Sequence, residues 1–174
     1  MAMRSAVIVR VPLPAGLESL RRRHDPLATR GVPAHVTILV PFVPSDELRA
    51  EVRAALARVA AETAAFEAQF ARVERFPDAV WLAPEPATPF REMTQRMGTA
   101  FPDHPPYEGI HAEVVPHLTI GLSAGADLDR LERVARACPP FRTTIRAIEV
   151  IAEEGDERWH RRWRIPLGRR PIRP

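Results

Sequence analysis

Two four-residue stretches, HVTI at residues 35–38 and HLTI at residues 117–120, decide how the rest of the chain is interpreted. Each places a histidine and a threonine two positions apart in an apolar run, which is typical of a β-strand. Alternate residues of a strand project from the same face, so each stretch presents one imidazole beside one hydroxyl. The intervening apolar residues point the other way, into a core. Two such strands facing each other would form a site with two histidines and two hydroxyl groups.

The pair of stretches is not explained by composition. A chain with six histidines and nine threonines is expected by chance to contain fewer than one His-x-Thr triplet. Here two copies occur, each followed by isoleucine and each closely preceded by proline. A single copy is most simply a structural histidine, whereas a matched pair indicates a functional site.

Length and composition indicate one globular domain. The chain has 174 residues, of which 45% are hydrophobic, and both values suit a single compact core. The single cysteine, Cys138, excludes a disulfide within the chain, and its apolar context does not favour a catalytic thiol. No apolar stretch approaches the length of a membrane span. The short apolar run at 6–11 contains Arg10 and lacks a cleavage site, so it is not interpreted as a signal peptide. We therefore predict a cytoplasmic protein.

The basic residues are all arginine. The chain has 25 of them, no lysine and a net charge of +3, for which a biased genome composition is the simplest reason. Without lysine, Schiff-base chemistry is excluded. Arginine suits bidentate contacts with phosphate. The clusters at 21–23 and 158–173 form either a solvated face or an electrostatic attraction for nucleotides.

The same order of elements occurs twice along the chain. Apolar patterning predicts strand, helix, motif strand, helix and strand in each half, with Ser45 as a helix N-cap in the first half. In the first half the predicted strands flanking the motif strand are 6–11 and 66–76, and the predicted helices are 15–24 and 45–64. In the second half the strands are 79–82 and 141–152, and the helices are 89–100 and 127–138. A last strand is predicted at 159–167. This order predicts a single bilobal domain over residues 1–174, with repeats at about 5–77 and 78–153 and a final strand at about 158–168.

The two motifs, their separation and the chain length resemble the 2H phosphoesterase superfamily, and within it the 2′-5′ RNA ligase-like branch. The resemblance covers nearly the whole chain. It implies an α+β fold with two pseudo-symmetric βαβαβ lobes, mostly antiparallel sheets and a central cleft. It also implies metal-independent chemistry, without a cofactor, on 2′,3′-cyclic phosphates and 2′-5′ phosphodiester bonds. Carried over residue by residue, it implies that His35 and His117 are catalytic and that Thr37 and Thr119 bind phosphate.

The expected chemistry agrees with these residue types. Opening a 2′,3′-cyclic phosphate to the 2′-phosphate needs a base for water and an acid for the departing ribose oxygen, and two imidazoles can hold these opposite protonation states. The threonine hydroxyls can donate to the phosphoryl oxygens, where charge gathers in the transition state. The two histidines would exchange roles in the reverse, ligating direction. The sequence does not indicate which histidine is the base.

One departure from the family pattern follows the second motif. Many members carry a basic residue a few positions after the second threonine, but Gly121 and Leu122 stand here. A cationic partner for the phosphate must then come from elsewhere. Two explanations for Gly121 stay open: its missing side chain leaves room for substrate, or it marks a strand bulge.

Other candidate residues have structural alternatives. Tyr107, Phe42 and Trp81 are candidates for stacking on a base, and the alternative for each is packing in the core or in a loop. We prefer Tyr107, which lies in the long loop before His117, as a gate residue. His104 and His111 match no compact metal-ligand spacing, so we predict no metal site.

Three functions remain open at this level. The first is a cyclic phosphodiesterase acting on a nucleotide or an RNA end, with no membrane and no obligate protein partner. The second is an RNA- or nucleotide-binding module without turnover, which the missing basic residue favours. The third is a phosphodiesterase for a cyclic phosphate other than RNA.

Overall fold

The computed structural model describes residues 4–110, 114–123, 127–155 and 157–169. These ranges contain eight strands, five α-helices and short 3-10 turns at Ser45–Glu47 and Pro106–Gly109. The strands and helices are β1 (Ser5–Arg10), α1 (Ala15–His24), α2 (Pro26–Thr29), β2 (His35–Leu39), α3 (Ala50–Ala61), β3 (Phe66–Phe76), β4 (Ala79–Glu85), α4 (Thr88–Ala100), β5 (Leu118–Leu122), α5 (Leu128–Ala137), β6 (Phe141–Ile145), β7 (Ala147–Glu153) and β8 (Trp159–Pro166).

The strands form two four-stranded antiparallel sheets, ordered β2-β1-β7-β8 (sheet 1) and β5-β4-β3-β6 (sheet 2). The predicted α+β class with mostly antiparallel sheets is confirmed. In each sheet the strand of the His-x-Thr motif lies at one edge, next to the first strand of its own half. The two motif strands, β2 and β5, also contact each other. The fold therefore brings the two motifs together at the junction of the sheets.

Each sheet takes its third strand from the other half of the chain. β3 pairs with β4 and β6, while β7 pairs with β1 and β8. The single strand predicted at 141–152 was therefore wrong, because the chain leaves sheet 2 after Ile145 and enters sheet 1 at Ala147. The exposed Arg146 lies between them. The apolar alternation changes phase here, from odd positions up to Ala147 to even positions from Ile148, and the prediction of one strand did not take this change into account.

The helices cover one face of each sheet. α3 and α4 pack against sheet 1, and α1 and α5 pack against sheet 2. The apolar residues of the two motifs point into these layers, and all four are fully buried, as predicted: Val36, Ile38, Leu118 and Ile120. The opposite face of each sheet carries the histidine and threonine of its motif, and we call it the motif face.

Two predicted boundaries were wrong. Ser45 does not cap a long helix: it is buried in a 3-10 turn, its hydroxyl is not a cap, and α3 begins only at Ala50. The strand predicted to stop before Pro84 continues to Glu85. Pro84 is accommodated because the pairing of β4 with β3 shifts register just beyond it, and bulges are where proline is tolerated in a sheet.

Candidate active site

The two motif histidines have the same local geometry. His35 Nδ1 donates to the carbonyl oxygen of Pro33 at 2.7 Å, and His117 Nδ1 donates to that of Val115 at 2.8 Å. In both cases the acceptor is the carbonyl two residues earlier. A carbonyl can only accept, so the Nδ1 atom of each ring carries a proton. Nε2 is therefore the atom at which each ring can take up or release a proton.

Both motif strands bulge immediately after the threonine. In β2, Thr37 pairs with Ile8 and Leu39 pairs with Val7. Ile38, which lies between Thr37 and Leu39, is left unpaired. In β5, Trp81 and Val80 pair with Thr119 and Gly121 in the same way. A bulge turns the following residue relative to the preceding one. The two motifs thus share a backbone irregularity as well as a sequence.

The bulge settles the two explanations for Gly121. A Cβ at this position would lie 2.6 Å from Leu131 Cδ2 and 2.7 Å from His24 Cβ. Gly121 therefore faces α1 and α5 on the side opposite to His117. The expectation that it leaves room for substrate was wrong, and the bulge is the correct alternative. The glycine permits close packing of two helices on β5.

His35 lies in a half-buried environment that favours its neutral form. Its Nε2 is 3.2 Å from Thr37 Oγ1, and the hydroxyl donates to it when the ring is neutral. The pKa of His35 is lowered to about 4, chiefly by burial; the Pro33 carbonyl opposes this effect, and the positive charges of Arg21 and of protonated His117 add to it.

His117 lies against an aromatic wall. Its ring packs edge-on against Phe76 and Trp81, with centroid distances of 5.1 Å and 5.9 Å. Those two rings stack on each other at 4.8 Å, and only 7% of Trp81 is exposed. Burial lowers the pKa of His117, and the hydrogen bond to Val115 partly opposes this. Trp81 therefore packs against the imidazole and has little surface left for a base. Thr119, half-buried, lies beside Trp81 on the motif face.

Tyr107 connects the two motifs. Its hydroxyl hydrogen-bonds the side chain of Thr37, and burial raises its pKa. It also lines a cavity of about 530 Å³ together with His117, Phe76 and Val115. Its backbone φ of 51° is in the left-handed region, which is uncommon for a residue other than glycine. The loop thus carries Tyr107 to the cavity beside His117, while the Tyr107 hydroxyl contacts Thr37 of the first motif.

Phe42 lies elsewhere. It is 3% exposed and packs edge-on against Phe101 at a centroid distance of 5.0 Å. Its ring is part of the core and offers no face to a substrate. His104 lies 6.2 Å from the same ring, and His111 is outside the described residues. Within the described part of the chain, no three His, Cys, Asp or Glu side chains are grouped to hold a metal ion.

A buried ion pair beneath the first motif was not predicted. Arg21 and Asp25, 2% and 3% exposed, are 2.8 Å apart. Arg21 also donates to the carbonyl oxygen of Val32 at 3.0 Å, and Asp25 accepts from the amide of Leu27 at the start of α2. The pair therefore fixes the loop that leads into β2. Interpreting 21–23 as one solvated cluster was wrong for Arg21, while its two neighbours are exposed. The available signal was an arginine four residues before an Asp-Pro helix start.

Comparisons with known proteins agree with this architecture. TT0787 of Thermus thermophilus shares the fold with 19% sequence identity and a TM-score of 0.65, over 96% of this chain and 99% of that chain. E. coli LigT complexed with 3′-AMP has 20% sequence identity and a TM-score of 0.56, over 97% of this chain and 100% of that chain. LigT complexed with NADP+ has 18% sequence identity and a TM-score of 0.57, over 97% of this chain and 99% of that chain.

At these identities the structural likeness concerns the fold. No curated protein matches the chain significantly, and no helix among the described residues is long and apolar enough to cross a membrane. The family model of the 2′-5′ RNA ligase superfamily matches residues 9–157, which is most of the chain. The protein therefore belongs to this superfamily of 2H phosphoesterases.

Proposed function

We propose that the protein hydrolyses a 2′,3′-cyclic phosphate, on a nucleotide or an RNA end, to the 2′-phosphate without a metal ion. The supporting observation is the shared geometry of His35 and His117. Both rings have Nδ1 held by a backbone carbonyl, which leaves Nε2 as the reactive atom, and each has a threonine two residues later. Such a pair suits a reaction that needs one proton acceptor and one proton donor.

The proposed reaction is an in-line displacement at phosphorus. A water oxygen attacks the phosphorus while the base removes a proton from that water. The bond to the 3′-oxygen breaks, and the acid gives this oxygen a proton, so that the 2′-phosphate remains. When substrate binds, the Thr37 hydroxyl turns its proton from His35 Nε2 to a non-bridging oxygen, Thr119 donates to another, and together they orient the group. When a 5′-hydroxyl attacks in place of water, the same groups in the same roles join it to the cyclic phosphate and form a 2′-5′ bond; the two histidines exchange roles when the 3′-hydroxyl opens that bond again.

We assign the base to His35 and the acid to His117 in the hydrolytic direction. His35 Nε2 faces the Thr37 hydroxyl at 3.2 Å, and its pKa of about 4 keeps it neutral at most pH values. His117 has a lowered pKa as well, but without the positive neighbours that act on His35. A neutral ring accepts a proton, whereas the ring that charges more readily can donate one.

The nature of the substrate is supported by a relative. LigT, which shares the fold, has been solved in complexes with 3′-AMP and with NADP+. Both ligands are nucleotides, and this makes a nucleotide or RNA end the first substrate class to test here. We expect the protein to act in the cytoplasm.

The test is turnover of nucleoside 2′,3′-cyclic phosphates with product identification. The wild type should form the 2′-phosphate, in the presence of EDTA. His35→Ala and His117→Ala should each lose turnover by about two to four orders of magnitude. His160→Ala, at an exposed histidine, is the control and should keep full activity. Near-normal turnover in both motif variants would overturn the proposal.

A substrate with an aryl leaving group separates acid from base. A p-nitrophenyl phosphodiester expels a phenolate that does not need a proton, so His117→Ala should retain most of its activity on this substrate. His35→Ala should not, because attacking water still needs its base. Rescue of His35→Ala instead would reverse the assignment.

A second candidate function is nucleotide binding without turnover. The observation that favours it is the uncharged Gly121-Leu122 after the second motif. Tight binding of the cyclic phosphate with no product would support this candidate. Turnover confined to cyclic phosphates other than those of ribonucleosides would support a non-RNA substrate.

A further inference from the structure

The motif face of sheet 1 carries arginines beside the first motif. Arg10 is the cross-strand partner of His35, and residues directly opposite each other on antiparallel strands project from the same face. Ile8 pairs with Thr37 on one side and with Glu149 on the other. Glu149 in turn pairs with Arg164 on β8. A row across the sheet thus leads from the motif to an arginine on its far strand.

These arginines surround a hollow. A cavity of about 320 Å³ is lined by charged and polar side chains that include Arg10, Arg146, Arg161, Arg164, Glu149 and Thr144. A second hollow of about 410 Å³ shares Thr144 and Arg146 with it and continues towards Arg169. The two hollows follow the point at which the chain crosses from sheet 2 to sheet 1. Together they extend away from His35 and form a track that we call the arginine groove.

The described lining of the arginine groove has five arginines and two carboxylates, Glu149 and the exposed Glu67, so the groove carries an excess of positive charge. Glu149, only 5% exposed, is bound by Arg161 at 3.2 Å. Within the described residues, Arg10, Arg146 and Arg164 make no ion pair, although all three are exposed. Elsewhere on the surface, arginines such as Arg75 and Arg136 are bound to carboxylates. Three unpaired guanidinium groups around one hollow favour an anion with several acceptor oxygens.

We propose that the arginine groove binds a second phosphate of the substrate, the phosphodiester on the 5′ side of the terminal nucleotide. This inference rests on the proposed function of the site at His35. Arg10 lies about 5 Å from His35 between Cβ atoms, the usual spacing of cross-strand partners. A phosphate one nucleotide from the reacting phosphate would therefore meet Arg10 first. The groove continues beyond that point, which suits an oligonucleotide better than a mononucleotide.

The groove also explains how the enzyme manages without a basic residue after its second motif. Leu122 supplies no charge to the phosphate. Positive charge on sheet 1 would instead attract the substrate from the other side of the site. Such attraction depends on ionic strength, because added salt screens the charges and reduces the gain from counterion release.

The experiment compares three substrates. These are a nucleoside 2′,3′-cyclic phosphate, the same nucleotide with a 5′-phosphate, and a dinucleotide ending in the cyclic phosphate. In the wild type, kcat/KM for the dinucleotide should exceed that for the nucleoside compound about tenfold or more, since a charge-assisted hydrogen bond contributes that much. An equal gain from the 5′-phosphate would show that any second phosphate suffices, whereas a gain confined to the dinucleotide identifies RNA.

The variant Arg10→Gln/Arg164→Gln tests the residues. It should reduce the ratio of kcat/KM for the dinucleotide to kcat/KM for the nucleoside cyclic phosphate about tenfold. It should also make the log-log slope of the dinucleotide's kcat/KM against salt concentration less steep, by about 0.7 for each lost phosphate contact. Arg133→Gln, an exposed arginine on α5, is the charge-matched control and should change neither. An unchanged ratio in the double variant would overturn the inference.

Binding keeps this inference separate from catalysis. A dinucleotide ending in a 2′-phosphate and the matching nucleoside 2′-phosphate can be titrated calorimetrically whether or not the protein turns over. The dinucleotide should bind about tenfold more tightly to the wild type, and this advantage should vanish in the double variant. If the dinucleotide binds more tightly but no cyclic phosphate is hydrolysed, only the proposed hydrolysis is contradicted. Turnover without the advantage would contradict the arginine groove only.

Discussion

Replacing His35 with glutamine should remove a defined part of the pH dependence of stability. The folded protein holds the pKa of His35 at about 4, while an unfolded histidine titrates near 6.5. Between these values the unfolded chain binds one more proton than the folded chain, so stability falls as the pH falls. The full difference corresponds to about 3 kcal/mol, of which about 2 kcal/mol is lost by pH 5. Above pH 6.5 this loss is absent.

Urea denaturation followed by tryptophan fluorescence measures this effect at pH 5 and pH 8. Between the two, the wild type should lose about 2 kcal/mol more than His35→Gln. His160→Gln is the control, because that ring is about half exposed and should leave the wild-type difference unchanged. His117, whose pKa is also lowered, adds a loss of the same sign in both proteins. The reasoning is refuted if His35→Gln and the wild type lose equal stability.

Three further changes test other parts of the structure. Arg21→Met should lower the free energy of unfolding by about 3 to 5 kcal/mol in thermal or urea melts, because it leaves a buried carboxylate unpaired; a loss below 1 kcal/mol would contradict this. Gly121→Ala should cost about 1 to 3 kcal/mol through overlap with two helices, while Gly155→Ala, with open space around its Cα, should be nearly neutral. Tyr107→Phe should reduce kcat/KM several-fold by freeing the hydroxyl of Thr37, with little change in melting temperature; unchanged kinetics would exclude this role.

The sequence predicted the features that depend on local pattern. The motif pair indicated two strands, and the burial of Val36 and Ile120 follows from alternation alone. Helix α1 and strand β3 have the bounds predicted from the local sequence pattern. The α+β class follows from the repeated order of these elements.

The features that were not predicted depend on contacts between distant parts of the chain. Arg146 is a residue type that a continuous strand would also accept, and only the strand pairing shows that the chain changes sheets there. The orientation of Gly121 depends on a bulge that becomes visible only in the register with β4. Arg21 is buried because Asp25 and the Val32 carbonyl meet it inside the fold. Charge patterns alone suggest solvent exposure for such a residue.

The pH dependence of kcat/KM on a nucleoside 2′,3′-cyclic phosphate tests the two-histidine mechanism most directly. This profile reports the groups of the free enzyme. His35, the proposed base, should give an acid limb near pH 4, and His117, the proposed acid with its lowered pKa, should give an alkaline limb below pH 6.5. We predict a bell-shaped profile with its maximum between these limbs. A flat profile, or one with a single limb over the range from about pH 3 to about pH 8, would contradict acid–base catalysis by this pair.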